Sequence, residues 1–523
     1  MKRSSPLTWL LLVLSFVACR AGPDVPPPAS PSSVPRATVA TATVAATQAP
    51  PFTATATTTP SATPWPAAIV AAPPAWEDAL AAALAETEGW QWQPLLTDDP
   101  AGVLAAGDAH LALVPGQQGV AAGQRPFVLA VPFTANWEET TSGQAQEIVA
   151  QGHELVTVTT WDELTPQQKP LYVDGFHPAA PAYPLQQPWS LLSAAAYEAA
   201  AAALAPRLRA QAAGPLLRLT AVGDIMLDRA LGAAIGSGNL DFPFASVQPL
   251  LKDAGVTVGN LESALGDVGK PAAKRYTFRA PPAAAESLAR AGFDVLSLAN
   301  NHALDYGPAA LLQGLDLLRA QGIATVGAGQ DAAAAHRPAL YRVNGLTLAF
   351  LGYVHVPVEG HLPYFDTKTW TATADTPSLA WADPAQIAND VAAARQEADH
   401  VVVLLHSGYE YGAAPSPPQV AAAHAAVDAG AALVVGHHAH ILQGVEFYNG
   451  GVIVYGLGNF AFTITGPPET ALLNAWLDED GVRQIEFIPA VVQASGQPRP
   501  ADAGEATAIR QQIYALTTVL NPR

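Results

Sequence analysis

The sequence predicts an α/β fold for residues 214–523, and three observations carry that prediction. Amphipathic helical stretches alternate with short apolar runs. The runs are continuously apolar, as strands covered by helices are. Five of them end in a polar motif: Gly223-Asp224, Asn260-Leu261-Glu262, Asn300-Asn301-His302, His406 and Gly436-His437-His438-Ala439-His440. Ligands of open α/β sheets bind beyond the carboxyl ends of the strands. The five strands are therefore placed to deliver oxygen and nitrogen donors to one edge.

Taken in order, the chain of 523 residues starts with Lys2, Arg3 and an apolar run from Leu7 to Val17, too short for a comfortable membrane span. Phe16-Val17-Ala18-Cys19 closes this run, and Cys19 is the only cysteine, so no internal disulfide exists. The pattern resembles a bacterial lipoprotein signal over residues 1–19, with lipid on Cys19 as the membrane anchor; the alternative is an ordinary secretory signal and a secreted protein. Residues 20–66 are built mostly from Ala, Thr, Pro, Ser and Val, with only Arg20, Asp24 and Arg36 charged, and are expected to be a disordered tether.

Residues 67–213 are expected to form a small α/β domain. Ala68 to Ala72 and Phe127 to Pro132 read as strands. Trp76 to Glu88 and Trp189 to Ala205 read as helices, the second stopped by Pro206. The segments 127–132, 161–164 and 181–192 resemble pieces of a phosphate-type solute-binding fold. A plain spacer domain is the alternative.

In residues 214–523 the order of helix then strand repeats. Val247 to Ala254 precedes Val256-Thr257-Val258, and Ala283 to Ala291 precedes Val295 to Leu298. Pro384 to Ala398 precedes Val401 to Leu405, and Pro418 to Ala429 precedes Ala431 to Val435. Asp383 before Pro384 is a cap followed by a first-turn proline. Gly292 and Gly430 are expected helix stops. Asn449-Gly450 between two apolar runs predicts a hairpin.

Composition bounds the function. Acidic residues number 44 against 25 basic, giving a net charge of −19. That disfavours nucleic acid and anionic membrane surfaces as partners. A polyanionic substrate needs a local positive site. Five of the 13 histidines fall between 406 and 440. Each motif alone has a plainer reading: Asp224 as a helix cap, Glu262 as a solvated loop residue, Asn301 as a turn residue, His406 as a packed histidine. His438 and His440, one residue apart, present nitrogens together and point to a metal.

Gly223-Asp224-Ile225-Met226-Leu227, Asn260-Leu261-Glu262-Ser263, Ala299-Asn300-Asn301-His302 with Asp305-Tyr306-Gly307, His406 with Glu410-Tyr411, Gly436-His437-His438-Ala439-His440 and Tyr455-Gly456-Leu457-Gly458-Asn459-Phe460 together resemble the CapA family of capsule or poly-γ-glutamate synthesis proteins. The family is similar to calcineurin-like metallophosphatases. The resemblance implies a four-layer α/β/β/α sandwich. It implies metal ligands at Asp224, Glu262, Asn301, His406, His438 and His440, holding one or two divalent ions such as Mn, Fe or Zn. It implies His302 as the acid that protonates a leaving group, with Asp305 orienting it and His437 capping or packing. Met226 stands where metallophosphatases place a histidine ligand, Glu262 replaces an aspartate, and Ser407 replaces a tryptophan usual in the family.

Two functions follow as expectations. One is a surface-anchored protein acting in synthesis, export or release of an anionic exopolymer such as poly-γ-glutamate. It would use a metal-dependent hydrolase site that cuts a phosphoester or an amide. The other is a non-catalytic polymer-binding or assembly factor on the same fold. A third role, small-anion sensing by residues 67–213, rests on the solute-binding resemblance.

Overall fold

A sheet of the order Gln91–Leu96, Ala67–Ala72, Leu111–Pro115, Gln186–Ser193, Val120–Pro132, Thr157–Thr160 organises the first folded segment of this computed structural model. The structure describes residues 65–211, 216–359, 364–463 and 466–522. The segment expected to be a signal, with Cys19, and the expected tether up to residue 64 lie outside the described residues. No helix among the described residues is long and apolar enough to cross a membrane.

The stretch expected to be helical from Trp189 divides. Gln186–Ser193 is a strand, and the helix runs Glu198–Gln211 with Pro206 inside it. Leu204, Ala205 and Leu208 bury into one core on either side of the proline. That packing outweighs the lost hydrogen bond, which propensity alone cannot foresee.

The second segment contains two larger sheets. In the first, Ala324–Val326, Val295–Ser297, Val256–Leu261 and Leu217–Met226 are parallel neighbours; Glu469–Asp478 and Gly481–Val492 continue it antiparallel. In the second, Leu346–His355, His400–Ser407, Ala431–His437 and Gly451–Val454 are parallel. The expectation of one shared edge is thus corrected: the donor-bearing strands are divided between two sheets.

Alternation shows how the sheets meet. Leu217, Leu219, Ala221, Val256 and Val258 of the first share a core with Val402, Leu404, Leu433 and Val435 of the second. The opposite faces bury under helices. Val222 and Ile225 pack with Leu231, Ile235 and Leu288, whereas Val401, Val403 and Leu405 pack with Ile387, Val391, Ala422 and Ala426. Side chains two apart share a strand face. Asn260 therefore continues the inward row of 256 and 258, and His406 that of 402 and 404. A register shift between Ala221 and Asp224 returns Asp224 to the inward row after Val222 has faced the helices.

Local signals act as the sequence requires. The Asp383 carboxylate accepts from Ala385 and Gln386 N–H at the head of Pro384–Ala394. Asn449 and Gly450, at φ 45° and 83°, make the turn between Val445–Tyr448 and Gly451–Val454.

Residues 64–523 form one compact unit. Phe133 enters the core between the two sheets and meets Phe447 and Tyr514 edge-on, at 5.6 and 5.4 Å. His177 stacks on Trp476 at 4.5 Å, and Tyr172 donates to the half-buried Glu486 at 2.5 Å. Buried apolar and polar contacts of this kind fix the first segment against the second.

Candidate metal centre

The site lies where the inter-sheet core gives way to polar residues. Asp224 is within the Leu217–Met226 strand, and Glu262 immediately follows Val256–Leu261. Asn301 and His302 follow Val295–Ser297 by a short loop. His406 is in His400–Ser407, and His438 and His440 follow Ala431–His437. All eight residues singled out for the site, Asp305 included, are buried, none exceeding 7% exposure.

Two glycines permit the approach. A Cβ on Gly223 would collide with the Gly458 carbonyl oxygen, and one on Gly436 with that of Tyr455. The histidine turn is strained for a different reason. His438 and His440 take φ values of 86° and 57°, a left-handed conformation that side-chain-bearing residues rarely adopt. Such strain is held where surrounding structure over-determines it, commonly at functional sites.

The donors form two overlapping groups that share Glu262. Asp224, Glu262 and His440 offer ligand atoms within 4.8 Å of one another, and so do Glu262, His406 and His438. Glu262 Oε1 stands 3.7 Å from both His406 Nε2 and His440 Nε2. His440 Nδ1 lies 3.3 Å from Asp224 Oδ2. Asn301 Oδ1 lies 2.8 Å from His406 Nε2, which adds an oxygen to the second group.

Behind these donors is a layer of amides that sequence reasoning did not single out. Asn260 donates through Nδ2 to Asp224 Oδ1 at 2.8 Å, and Asn300 donates to Asn260 Oδ1 at 3.0 Å. Asn459 Oδ1 sits 2.9 Å from His440 Nδ1; accepting that proton leaves Nε2 free as a ligand. Asn301 Nδ2 donates to Glu359 Oε1 at 3.1 Å, which turns its carbonyl oxygen toward His406. Asn260 and Asn300 lie in the same short polar motifs as the donors, Asn260-Leu261-Glu262 and Asn300-Asn301-His302, and Asn459 lies in Tyr455-Gly456-Leu457-Gly458-Asn459-Phe460; that placement is the signal in the sequence.

Charge is distributed unevenly. Burial raises the Glu262 pKa, and the charge of Asp224 raises it further. Burial works against ionised Asp224 as well, but the hydrogen bond and charges of the surrounding histidines outweigh it and hold its pKa below the carboxylate range. Burial pushes His406 well below its ordinary value, and burial with the charge of His440 takes His438 down to about 3. Burial opposes protonation of His440 too, yet Glu262 and Asp224 lift it to about 10. Neutral His406 and His438 and ionised Asp224 are ready as ligands, and His440 carries the proton that an arriving cation displaces.

The donors fit a divalent ion. Both oxygens of Glu262, and Nδ1 of His438, are buried without a hydrogen-bond partner. Orphaned buried polar atoms are costly. Two donors each about 2.0–2.2 Å from one ion at tetrahedral angles stand about 3.4 Å apart. The separations of 3.7 Å between Glu262 Oε1 and the Nε2 atoms of His406 and His440 are close to that arrangement and too long for hydrogen bonds. Met226 does not join them: it packs with Phe278 and Phe462. His437 is also apart, with Nε2 3.1 Å from the Val222 carbonyl oxygen.

His302 stands beside the donors with different partners. Its Nδ1 lies 2.7 Å from Asp305 Oδ2, and its ring stacks on Phe278 at 4.3 Å. Burial lowers its pKa against the opposing pull of Asp305. Lys274, also not anticipated, has a fully buried ammonium 2.6 Å from Asp305 Oδ1 and 2.5 Å from Glu359 Oε1. It donates to the Asn301 carbonyl oxygen at 2.5 Å. One cation thus ties together the His302 partner, the Asn301 backbone and the Glu359 strand.

The model of a bacterial capsule synthesis protein, PGA_cap, matches residues 218–464, a range that contains every donor described above. The capsule biosynthesis protein CapA of Bacillus anthracis is 33% identical over 287 residues, 53% of this chain and 67% of that protein. The PGA biosynthesis protein CapA of Bacillus subtilis (strain 168) is 33% identical over 295 residues, 55% of this chain and 75% of that protein. A "probable polyglutamine synthesis accessory protein" of Mycobacterium tuberculosis (strain CDC 1551 / Oshkosh) is 36% identical over 209 residues, 38% of this chain and 53% of that protein. Motif order, donor geometry and these relatives agree, and the chain belongs to the CapA family of capsule synthesis proteins.

Proposed function

We propose that this chain acts outside the cell membrane on an anionic exopolymer of the poly-γ-glutamate kind, in its synthesis, export or release, through a metal-dependent hydrolase site. In this reading Cys19 carries the lipid anchor and residues 20–66 are the tether. Residues 67–213 serve as a fixed support. The paired sheets with helices on their outer faces are read as the metallophosphatase-like four-layer sandwich. The observation that carries the reading is Glu262: a buried carboxylate with both oxygens unpartnered, within ligand distance of three histidines.

Asp224, Glu262 and His440 would hold one ion, and Glu262, Asn301, His406 and His438 a second. A divalent ion there supplies Lewis-acid polarisation of an ester or amide and activation of water at neutral pH. The chain's own residues do the rest. Asp305 accepts the Nδ1 proton of His302 and fixes the ring. Nε2 is then the atom that takes up a proton and returns it to the departing group. Glu359 fixes the Asn301 side chain so that its Oδ1 would be available to the ion, and the apolar wall of Phe278 and Phe462 limits water around His302 and His440.

Metal analysis of the purified full chain, followed by hydrolysis assays on poly-γ-glutamate and on phosphoesters, tests this. Stoichiometric Mn, Fe or Zn with turnover abolished in His302→Ala supports it. Protein with all native donors and no bound metal overturns it. The second reading, a non-catalytic polymer-binding or assembly factor, is favoured by Met226, whose apolar packing fills the place of a donor. Metal without turnover on either substrate selects that reading.

A further inference from the structure

Four of the chain's 25 basic residues fall within ten positions, Lys270, Lys274, Arg275 and Arg279. In a protein of net charge −19 this is a local reversal of sign. The segment sits at the mouth of the site, because buried Lys274 pins it there through Asp305 and Glu359. Arg275, next in the chain, is exposed. Its guanidinium carbon lies 5.2 Å from the ring of Tyr276. Arg279 follows Phe278, the residue stacked on His302, and its guanidinium lies 4.3 Å over Tyr306.

A third guanidinium joins from another part of the chain. Arg229 is exposed, sits 5.0 Å over the ring of Phe278 and donates to the Thr463 carbonyl oxygen at 2.8 Å. Its backbone is held at φ 51°, left-handed for a non-glycine residue. The nearest acid in sequence, Asp228, spends its oxygens on the backbone N–H groups of Arg229 and Arg279. None of the three arginines is in a salt bridge among the described residues. Guanidinium groups laid on aromatic faces keep their in-plane N–H donors free for carboxylate or phosphate.

We infer that Arg229, Arg275 and Arg279 form a cationic rim that binds successive anionic groups of a linear polycarboxylate and leads one backbone linkage to His302. This rests on the polymer reading above and adds where the polymer is gripped. Planar bidentate pairing with carboxylates favours Arg over Lys at such a rim.

The test separates grip from chemistry. The chelator-treated full chain is titrated with fluorescein-labelled poly-γ-glutamate, with polyphosphate and neutral dextran as comparators, at 0.1 M and at 1 M salt, where screening lengths are about 10 and 3 Å. Metal content of the same preparation is measured separately, so loss of the metal-site reading shows there and not in the binding curve. Expected is salt-sensitive binding of the polyglutamate that falls about tenfold or more in the triple variant Arg229→Gln, Arg275→Gln, Arg279→Gln. It should recover in part in the corresponding triple lysine variant, and stay unchanged in Arg319→Gln, at the far end of the helix Pro308–Ala320. Thermal melting confirms that the glutamine variant is folded. Equal affinity in parent and glutamine variant, equal binding of dextran, or binding of polyphosphate alone overturns the assignment.

Discussion

Glu262 Oε1 and His440 Nε2 stand 3.7 Å apart, both buried, with no hydrogen bond between them. The same oxygen lies equally far from His406 Nε2. A gap of that width between complementary donors, repeated on two sides of one carboxylate, is what gives the site its reading as a metal centre.

Because Glu262 belongs to both donor groups, Glu262→Gln removes the largest share of metal binding. At a metal concentration a hundredfold above Kd the parent gains about 2.7 kcal/mol over its metal-free form. In the variant that difference should shrink to less than about half. The metal-free variant should itself unfold at higher temperature than the metal-free parent, since a buried carboxylate is replaced by a neutral amide. Calorimetry with and without chelator reads both effects.

Asn459 acts on metal only through His440. Removing its carbonyl oxygen in Asn459→Ala frees the ring to rotate and to change tautomer. Metal affinity should fall by about 10–100-fold while the fold persists. Competition with a fluorescent chelator measures it, and an unchanged affinity would deny Asn459 that role.

Lys274 is compensated by Asp305 and Glu359 and compensates both in turn. Lys274→Met leaves two buried carboxylates without their cation. Unfolding in denaturant should show a loss of about 3–5 kcal/mol. Adding Glu359→Gln to Lys274→Met should recover part of it, because one of the orphaned charges is then gone.

His177, stacked on Trp476, has its pKa lowered by burial from 6.5 to about 4. A depressed histidine pKa means that the folded state holds the neutral ring. The unfolded chain takes up the proton first as pH falls. Its contribution is therefore complete above pH 6.5 and is lost between there and pH 4. It amounts to on the order of 3 kcal/mol. Glu486 nearby, raised by burial, titrates in the opposite sense. Comparing His177→Phe, which keeps the stack, with the parent isolates the histidine: the variant should lose less stability across that pH window.

Gly436→Ala places a methyl group against the Tyr455 carbonyl oxygen. The histidine strand must move away from Gly451–Val454, at a cost of about 1–3 kcal/mol. Metal content should fall with it, although no donor has been changed. Full metal content in a stable Gly436→Ala protein would show that the close approach is not required.

The donors were legible because chemistry and position coincide: polar groups follow apolar runs, and alternation carries Asn260 and His406 inward. The hairpin at Asn449-Gly450 and the cap at Asp383 were legible for equally local reasons. What alternation cannot give is which sheet a strand joins, since Val402 and Val256 look alike in sequence yet belong to facing layers. Contacts between distant residues were hidden as well. Lys274 and Glu359 are 85 positions apart, and nothing near either one announces a buried pair. The alanine-rich stretch after Ser193 has strong helical propensity, and that signal masked the strand end at Trp189 to Ser193.

The left-handed turn at His438 and His440 has an evolutionary corollary. Glycine would occupy either position with less backbone strain, so a screen rewarding thermal robustness alone would drift toward glycine there. Persistence of histidine at both places through such a screen run with metal present, and its erosion without, would trace the selective pressure to the ion itself.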